Sequence, residues 1–343
     1  MRSRGQVAAS VACFAAVVMI AAVPVGCGGV GSAAVSQPTT PPPAPTGQLN
    51  AGLFAGQTRT AKARLIEQLT APPQVVVFGG SRALRFDPAY VQRRTGLSGF
   101  NAAVTQGRPE DTWALLNLLH TRFPTARFRF LWVVHFDGFD PRPISLAILL
   151  NPALAPYFPA SLVRSELSRA KASPTGMLQR AAIGIPDKGK LVYAPDGYVI
   201  SGFFSNATPP PHGHVGSVRK NIRTELQIYR STPTALYPRS VRYLKKDLKL
   251  MDALSAAPPV IVAAPFDHRI YAATVHHGWG ARHRRLLALL ARLRATERFS
   301  FLDLSRAPAH GFAPSDFYDG IHLTPQGAQR VIDLVLNRFP MSF

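Results

Sequence analysis

The chain has 343 residues, of which 47% are hydrophobic, and a formal net charge of +21. This length suffices for one large domain with a sizeable core, and the basic charge indicates an anionic partner. Both cysteines, Cys13 and Cys27, lie near the N-terminus, so the composition excludes a disulfide framework and thiolate chemistry in the folded domain.

An export signal or membrane anchor is predicted over residues 1–34. Two arginines precede an almost wholly apolar run from residue 7 to residue 25. Cleavage after Ala34, lipid attachment at Cys27 and an uncleaved anchor are all compatible with this pattern. Each outcome predicts an extracytoplasmic protein, either membrane-associated or secreted. The positive charge then favours an anionic envelope surface as a partner, and we expect no nucleic-acid partner.

A linker and then alternating strand and helix patterns follow. Residues 35–57 are rich in Pro, Ser and Thr and predict the linker, with the folded domain over residues 58–343. Apolar runs with β-branched residues predict five strands, at residues 75–78, 99–104, 128–134, 259–264 and 299–304. Helical patterns occur at residues 58–69, 88–95 and 240–254, at 282–294, and from Pro109 and Pro325 onwards. This alternation predicts an α/β fold with a parallel, three-layer α/β/α sheet arrangement.

An insertion at about residues 140–239 separates the third and fourth predicted strands. It is rich in Pro, Gly and basic side chains, and residues 206–214 within it contain three consecutive prolines and two histidines without any core pattern. Long connections of this composition are typical of functional loops or lids. We therefore expect a lid or partly disordered loops with short helices in this region.

The most informative motif lies near the C-terminus, where Asp319 precedes His322 by three residues in a loop that opens a helix. Thr324 is a good N-cap and Pro325 a good first helical residue. An imidazole that is oriented by a carboxylate is a general base for a nucleophile. The candidate nucleophile is Ser81, which follows two glycines at the end of the first predicted strand.

Three blocks of the chain resemble those of the SGNH (GDSL-like) hydrolase family. The Gly-Gly-Ser-Arg block ending at Arg82 is similar to the nucleophile block, Gly107 to the glycine block, and residues 319–322 to the final Asp-x-x-His block. The first block looks most like that of an envelope-associated Gly-Ser-Arg subgroup of acyl-esterase-like and O-acetyltransferase-like proteins. The resemblance implies a flavodoxin-like SGNH sheet of about five parallel strands, with the long insertion after the third strand.

The resemblance also implies a role for each matched residue. Ser81 would be the nucleophile, His322 the general base, and Asp319 the group that orients the imidazole and stabilises imidazolium. The backbone N–H groups of Ser81 and Gly107 would form the oxyanion hole. Since reactive groups in open parallel sheets collect at the carboxyl ends of the strands, we expect these blocks to meet at one edge of the sheet.

The third block departs from the family pattern. Where the family supplies an Asn side chain to the oxyanion hole, this chain has His135 and Asp137. An ionised Asp137 would repel an oxyanion, whereas protonation by burial would let it donate, and His135 is the alternative donor. This departure argues against efficient hydrolysis and slightly favours a transferase or a weakened enzyme.

These features predict a serine acyl-esterase or O-acyltransferase acting on acyl groups of cell-envelope glycans or lipids. The alternative is a non-catalytic envelope factor that binds an anionic polymer or a membrane O-acyltransferase. Structural roles stay open for Ser81 as a helix cap, His322 as a loop histidine and Asn101 as a buried amide. Histidine pairs such as His212 and His214 are too few to predict a metal site, and we expect neither a metal nor a cofactor.

Overall fold

A computed structural model of the chain describes residues 58–171, 191–201, 212–231 and 234–343. The predicted export signal or anchor, the linker and residues 206–211 of the proline-rich stretch lie outside the described residues. Contacts divide the chain into Met1–Pro43 and Ala44–Phe343, and all described residues belong to the second unit. Among these residues no helix combines the length and the apolar character needed to cross a membrane.

The centre of the fold is a five-stranded parallel sheet. The described strands are β1 (Val75–Gly79), β2 (Gly99–Asn101), β3 (Arg129–Val134), β4 (Val192–Tyr193), β5 (Val199–Ser201), β6 (Val260–Ala263) and β7 (Ser300–Asp303). The sheet has the order β2-β1-β3-β6-β7, with parallel pairing throughout. Strand β1 is wholly buried, as expected of an apolar, β-branched strand in a parallel sheet. The prediction of an α/β fold with about five parallel strands is confirmed.

Helices connect the strands, and their boundaries follow from local sequence. The described α-helices are α1 (Thr58–Gln68), α2 (Pro88–Thr95), α3 (Pro109–Arg122), α4 (Leu146–Leu149), α5 (Ala160–Lys171), α6 (Val215–Ser231), α7 (Pro238–Leu254), α8 (His268–Thr274), α9 (Gly280–Leu293) and α10 (Pro325–Arg338). Asp87 caps α2 by accepting the Ala89 N–H, and Gly96 ends it with a left-handed φ of 75°. The alternation of helices and strands is compatible with a three-layer α/β/α fold.

The insertion contains more regular structure than we expected. Helix α6 has 17 residues, in contrast to the short helices expected there. Its buried positions include Val218, Glu225 and Tyr229. Because the buried face of this helix includes a carboxylate, a search for apolar residues at helical spacing does not detect the helix. The described part of the insertion also contains the antiparallel pair β4–β5, which the sequence did not predict.

The β4–β5 hairpin lies against the edge of the sheet. The backbone N–H of Asn101, in edge strand β2, donates to the Asp196 carbonyl at 2.8 Å. Lys62 is fully buried beneath the hairpin, and its Nζ donates to the carbonyl oxygens of Asn101 and Gly197. Burial lowers the pKa of Lys62 to about 7, partly opposed by Asp196. The hairpin is therefore joined to the sheet and to the segment after β1 through main-chain groups, Lys62 and buried Arg85, whose Nη1 donates to the Val199 carbonyl at 2.9 Å.

Candidate active site

Ser81 lies directly beyond the carboxyl end of β1, as the first residue of the one-turn helix Ser81–Ala83. Its Oγ is 2.9 Å from Nε2 of His322, which is hydrogen-bond distance. Because N–H groups in the first turn of a helix have no acceptor within that helix, the Ser81 N–H is a suitable donor to an oxyanion. The structure thus brings the predicted nucleophile and base together.

The loop before α10 places Asp319 against the other side of the imidazole. Asp319 Oδ2 is 2.9 Å from His322 Nδ1, and Oδ1 accepts the backbone N–H groups of Ile321 at 3.0 Å and His322 at 2.9 Å. Thr324 caps α10 by accepting the Gly327 N–H, as its sequence position predicted. The loop that carries both groups is therefore closed on itself and anchored to a capped helix.

The ionised Asp319 determines which ring nitrogen of His322 carries the proton. Burial would raise the pKa of Asp319, but attraction to His322 and hydrogen bonds from its ring and from backbone N–H groups bring that pKa below its ordinary value. Asp319 is therefore ionised at neutral pH and holds the imidazole proton on Nδ1. This leaves Nε2 of His322 as the acceptor for the Ser81 hydroxyl proton.

Gly107 follows β2 and lies against the backbone at the end of β1. A Cβ atom at this position would meet the Gly79 carbonyl oxygen at 2.2 Å and Gly80 Cα at 3.0 Å, so only glycine permits this approach. The neighbouring Gln106 has a left-handed φ of 50°. However, the Gly107 N–H donates to the Val104 carbonyl at 3.2 Å. The second N–H predicted for the oxyanion hole therefore already has an acceptor in this structure.

The third-block residues His135 and Asp137 form a pair of their own, with His135 Nδ1 2.7 Å from Asp137 Oδ2. Burial would raise the pKa of Asp137, but His135, Arg82 and Arg142 lower it to about 2. Burial and the Arg82 charge lower the pKa of His135 to about 4, against the attraction of Asp137.

These protonation states distinguish the two candidates of the third block. Asp137 is ionised at neutral pH and cannot donate a hydrogen bond. Neutral His135 has one ring proton, and its Nδ1 lies 2.7 Å from the Asp137 carboxylate and 3.3 Å from the Asp137 backbone N–H. Its buried Nε2 has no hydrogen-bond partner and is a donor in the tautomer that carries the proton there. Asp137 therefore does not replace the missing Asn as an oxyanion donor, and His135 stays the candidate.

The reactive groups open into a cavity of about 490 Å³, which we call the serine cleft. One part of its lining is apolar and consists of Trp132, Val133, Val134, Phe139, Ile228 and Ile321. The charged part consists largely of ion pairs. Arg82 lies 3.6 Å from Asp137, Arg142 lies 2.6 Å from Asp140, and Arg108 lies 3.7 Å from buried Glu110 beside the cleft. A cleft whose lining combines apolar residues with paired charges suits an ester with an apolar acyl group.

Helix α6 contributes a wall that the sequence did not assign to the site. Asn221 Nδ2 donates to the Asp319 carbonyl at 3.1 Å, which joins α6 to the loop of the catalytic candidates. One turn later Glu225, 7% exposed, lines the serine cleft. The signal that could have identified it is a lone carboxylate at helical spacing from Val218, Ile222 and Tyr229.

Asn101 has the structural role that we left open. It is fully buried, and its side-chain amide donates to the carbonyl oxygens of Ala83 at 2.9 Å and Phe86 at 2.8 Å. Its Oδ1 accepts the Ala103 N–H at 2.9 Å. The side chain thus holds the segment after Ser81 against the end of β2, and all of its hydrogen bonds are to the backbone.

The arrangement defines a serine–histidine–aspartate site at the carboxyl edge of a parallel sheet. Among the described residues, no three His, Cys, Asp or Glu side chains converge as a metal-ligand set. No family model matches the chain, and no curated protein is significantly similar to it.

Proposed function

We propose that the protein is an SGNH-type serine acyl-esterase or O-acyltransferase that acts on acyl groups of cell-envelope glycans or lipids. The observation that carries this proposal is the alignment of three groups. Ser81 Oγ, His322 Nε2 and Nδ1, and Asp319 Oδ2 are joined by two contacts of 2.9 Å, although the serine and histidine are 241 positions apart in the sequence. A structural loop histidine has no need of a serine hydroxyl at one ring nitrogen and an ionised carboxylate at the other.

The proposed reaction has two steps, formation and breakdown of an acyl-Ser81 ester, and Ser81, His322 and Asp319 act in both. Ser81 Oγ attacks the ester carbonyl carbon while His322 Nε2 takes its proton, and the leaving alcohol receives that proton as the acyl-serine ester forms. Asp319 stabilises the imidazolium. Water or a second alcohol then attacks the acyl-serine and gives its proton to His322 Nε2, which passes it to Ser81 Oγ as the bond between that oxygen and the acyl carbon breaks. The Ser81 N–H stabilises the oxyanion, and loss of such a donor costs about 3 kcal/mol in the barrier.

The proposed location and partners follow from the basic N-terminal pattern and the charge. We propose an extracytoplasmic protein that meets an anionic envelope surface, with a membrane O-acyltransferase as a candidate partner. The solvent face of α6 supports this proposal, since Arg219, Lys220, Arg223 and Arg230 are all exposed on it. Such a cationic surface attracts anionic lipid or polymer.

A non-catalytic envelope factor is the second candidate. Two observations favour it: the ionised carboxylate of Asp137 in the serine cleft, and the Gly107 N–H that donates to Val104. Both weaken stabilisation of an oxyanion. In this alternative the cleft would bind a polymer or a partner without forming an acyl-serine.

The decisive experiment is labelling with a fluorescent alkyl phosphonate that reacts with activated serines. We expect labelling of the wild type at Ser81 and none of Ser81→Ala. Ser305→Ala is the matched control, because buried Ser305 also contacts a histidine, His283, whose Nε2 is shared with Asp303. It should label like the wild type. Labelling that persists in Ser81→Ala would show that Ser81 is not the nucleophile. If neither the wild type nor any variant is labelled while polymer binding is intact, the result favours the non-catalytic envelope factor.

A further inference from the structure

Besides Nε2 of His135, two buried polar atoms of residues that line the serine cleft have no hydrogen-bond partner. They are Oε2 of Glu225 and Nε of Arg82, whose residues are 7% and 9% exposed. The Tyr229 hydroxyl lies close to the Glu225 carboxyl group but not in hydrogen-bond geometry. Burying an unpaired polar atom costs free energy, so such atoms mark places where a ligand can supply the missing bonds. One of them is a donor and the other lies on a carboxyl group, which accepts when ionised.

The two side chains come from different elements and are fixed by their surroundings. Arg82 directly follows the nucleophile, and its guanidinium carbon lies 4.4 Å from the centroid of the Phe266 ring. Glu225 is held by α6, one turn after the Asn221 bond to the Asp319 loop. Both residues line the serine cleft. Both side chains thus line the same cleft as Ser81, each on an element fixed by its own contacts.

The charge balance of the cleft argues against an anionic ligand. The arginines that line the cleft already lie beside carboxylates, and Glu225 adds a further acidic group. Burial, helped by the nearby Asp137 charge, raises the pKa of Glu225 to about 7. Glu225 therefore exists near neutral pH both as a hydroxyl donor and as a carboxylate acceptor. Either form can bind an alcohol, whereas the ionised form repels an anion.

We infer that Glu225 and Arg82 bind the alcohol portion of the substrate, and that this alcohol is an uncharged polyol, such as a sugar unit with neighbouring hydroxyl groups. This inference rests on the proposed function. One hydroxyl accepts from Arg82 Nε, a second bonds to the Glu225 carboxyl group, and a third is the oxygen that carries the acyl group. The apolar residues of the lining hold the acyl chain.

The transfer step balances without any further reactant. The polyol oxygen attacks the carbonyl carbon of the acyl-Ser81 ester, and its proton passes to His322 Nε2. The bond between the acyl carbon and Ser81 Oγ then breaks, and His322 returns the proton to Ser81 Oγ. The products are an acylated polyol and free Ser81. Because the reverse step uses the same positions, the subsite also holds the alcohol that leaves during deacylation of a glycan.

A binding titration tests the inference independently of turnover. The probes are methyl β-D-glucopyranoside, D-glucuronate and 1-propanol, titrated by saturation-transfer NMR against the wild type, Glu225→Ala and Glu225→Gln. We expect the glucoside to bind more tightly than the other two probes. Since the lost hydrogen bond involves an ionisable group, Glu225→Ala should weaken glucoside binding about tenfold or more. Glu225→Gln keeps the shape and polarity, should weaken binding less, and serves if the alanine variant fails to fold.

The matched control is Arg223→Ala, which removes an exposed cation from the outer face of the same helix. It should leave glucoside binding unchanged. The inference is overturned if glucuronate binds more tightly than the glucoside, if folded Glu225 variants bind like the wild type, or if Arg223→Ala loses as much. Serine labelling without polyol binding would refute the inference alone. Glu225-dependent polyol binding without labelling would refute the proposed catalysis and leave the subsite standing.

Discussion

Replacing Asp319 with asparagine tests the orientation of the proposed base. The carboxylate Oδ1 accepts two backbone N–H groups, from Ile321 and His322, and Oδ2 contacts His322 Nδ1. An amide in this position can keep the backbone bonds only through its oxygen. Its NH₂ group then faces Nδ1, so the imidazole proton must move to Nε2. In that tautomer His322 donates to Ser81 instead of accepting its proton.

The size of the effect follows from the loss of the correct tautomer. Such a carboxylate-to-amide change in a serine–histidine–aspartate site lowers kcat roughly 10⁴-fold, which corresponds to about 5 kcal/mol in the activation free energy. The effect on folding should be smaller, about 1–2 kcal/mol, because both backbone bonds of the loop are kept and a single charge-assisted bond is lost.

The assay is hydrolysis of 4-nitrophenyl acetate, with Ser81→Ala as the background rate and circular dichroism as the check on folding. Asp316→Asn is the matched control. Asp316 lies three residues earlier and its carboxylate accepts the Ala313 N–H at 2.8 Å rather than a bond from His322. It should keep most of the activity. A folded Asp319→Asn protein with more than a tenth of the wild-type kcat would show that this carboxylate does not set the state of the base.

Two further predictions concern the scaffold. Gly107→Ala should lower the free energy of unfolding by about 1–3 kcal/mol and abolish serine labelling, because the new Cβ displaces the Gly79–Gly80 backbone. The control is Gly216→Ala, at an exposed helical site with open space around it. Urea denaturation should show this control to be as stable as the wild type or slightly more stable. Lys62 has a folded pKa of about 7 against 10.5 for a free lysine, so between these values the unfolded chain binds more protons. The free energy of unfolding should rise with pH across this window, by at most about 1.4 kcal/mol per unit. Lys62→Met should flatten that rise, and equal slopes for the two proteins would contradict the assignment.

The parts of the fold that depend on local patterns were predictable from the sequence. The β-branched run of β1 and the Thr324–Pro325 start of α10 each contain their own signal within a few residues. The meeting of Ser81 with His322 was predictable for a different reason, since parallel strands bring their carboxyl ends to one edge. These two kinds of rule were sufficient for the five strands and for the contact between the serine and the histidine.

The remaining features depend on tertiary context that no short pattern encodes. A lysine or glutamate in an amphipathic stretch normally indicates the solvent side, yet Lys62 is buried under a hairpin and Glu225 faces the cleft. The ionised state of Asp137 was also not predictable from the sequence, because it depends on charges contributed by Arg82 and Arg142. The hydrogen bond from the Gly107 N–H to the Val104 carbonyl depends on how the chain turns between these residues, and the presence of a glycine does not predict that turn.

The hairpin beside β2 has a consequence for how the protein can be shortened. An outermost strand offers unpaired main-chain groups to any neighbouring molecule, and here Asp196 occupies one of them. Excising the insertion to obtain a minimal domain would expose the β2 edge of the sheet and leave the ammonium group of Lys62 without the Gly197 carbonyl. Such a truncated form should self-associate through its sheets, so the insertion also acts as a safeguard against intermolecular strand pairing.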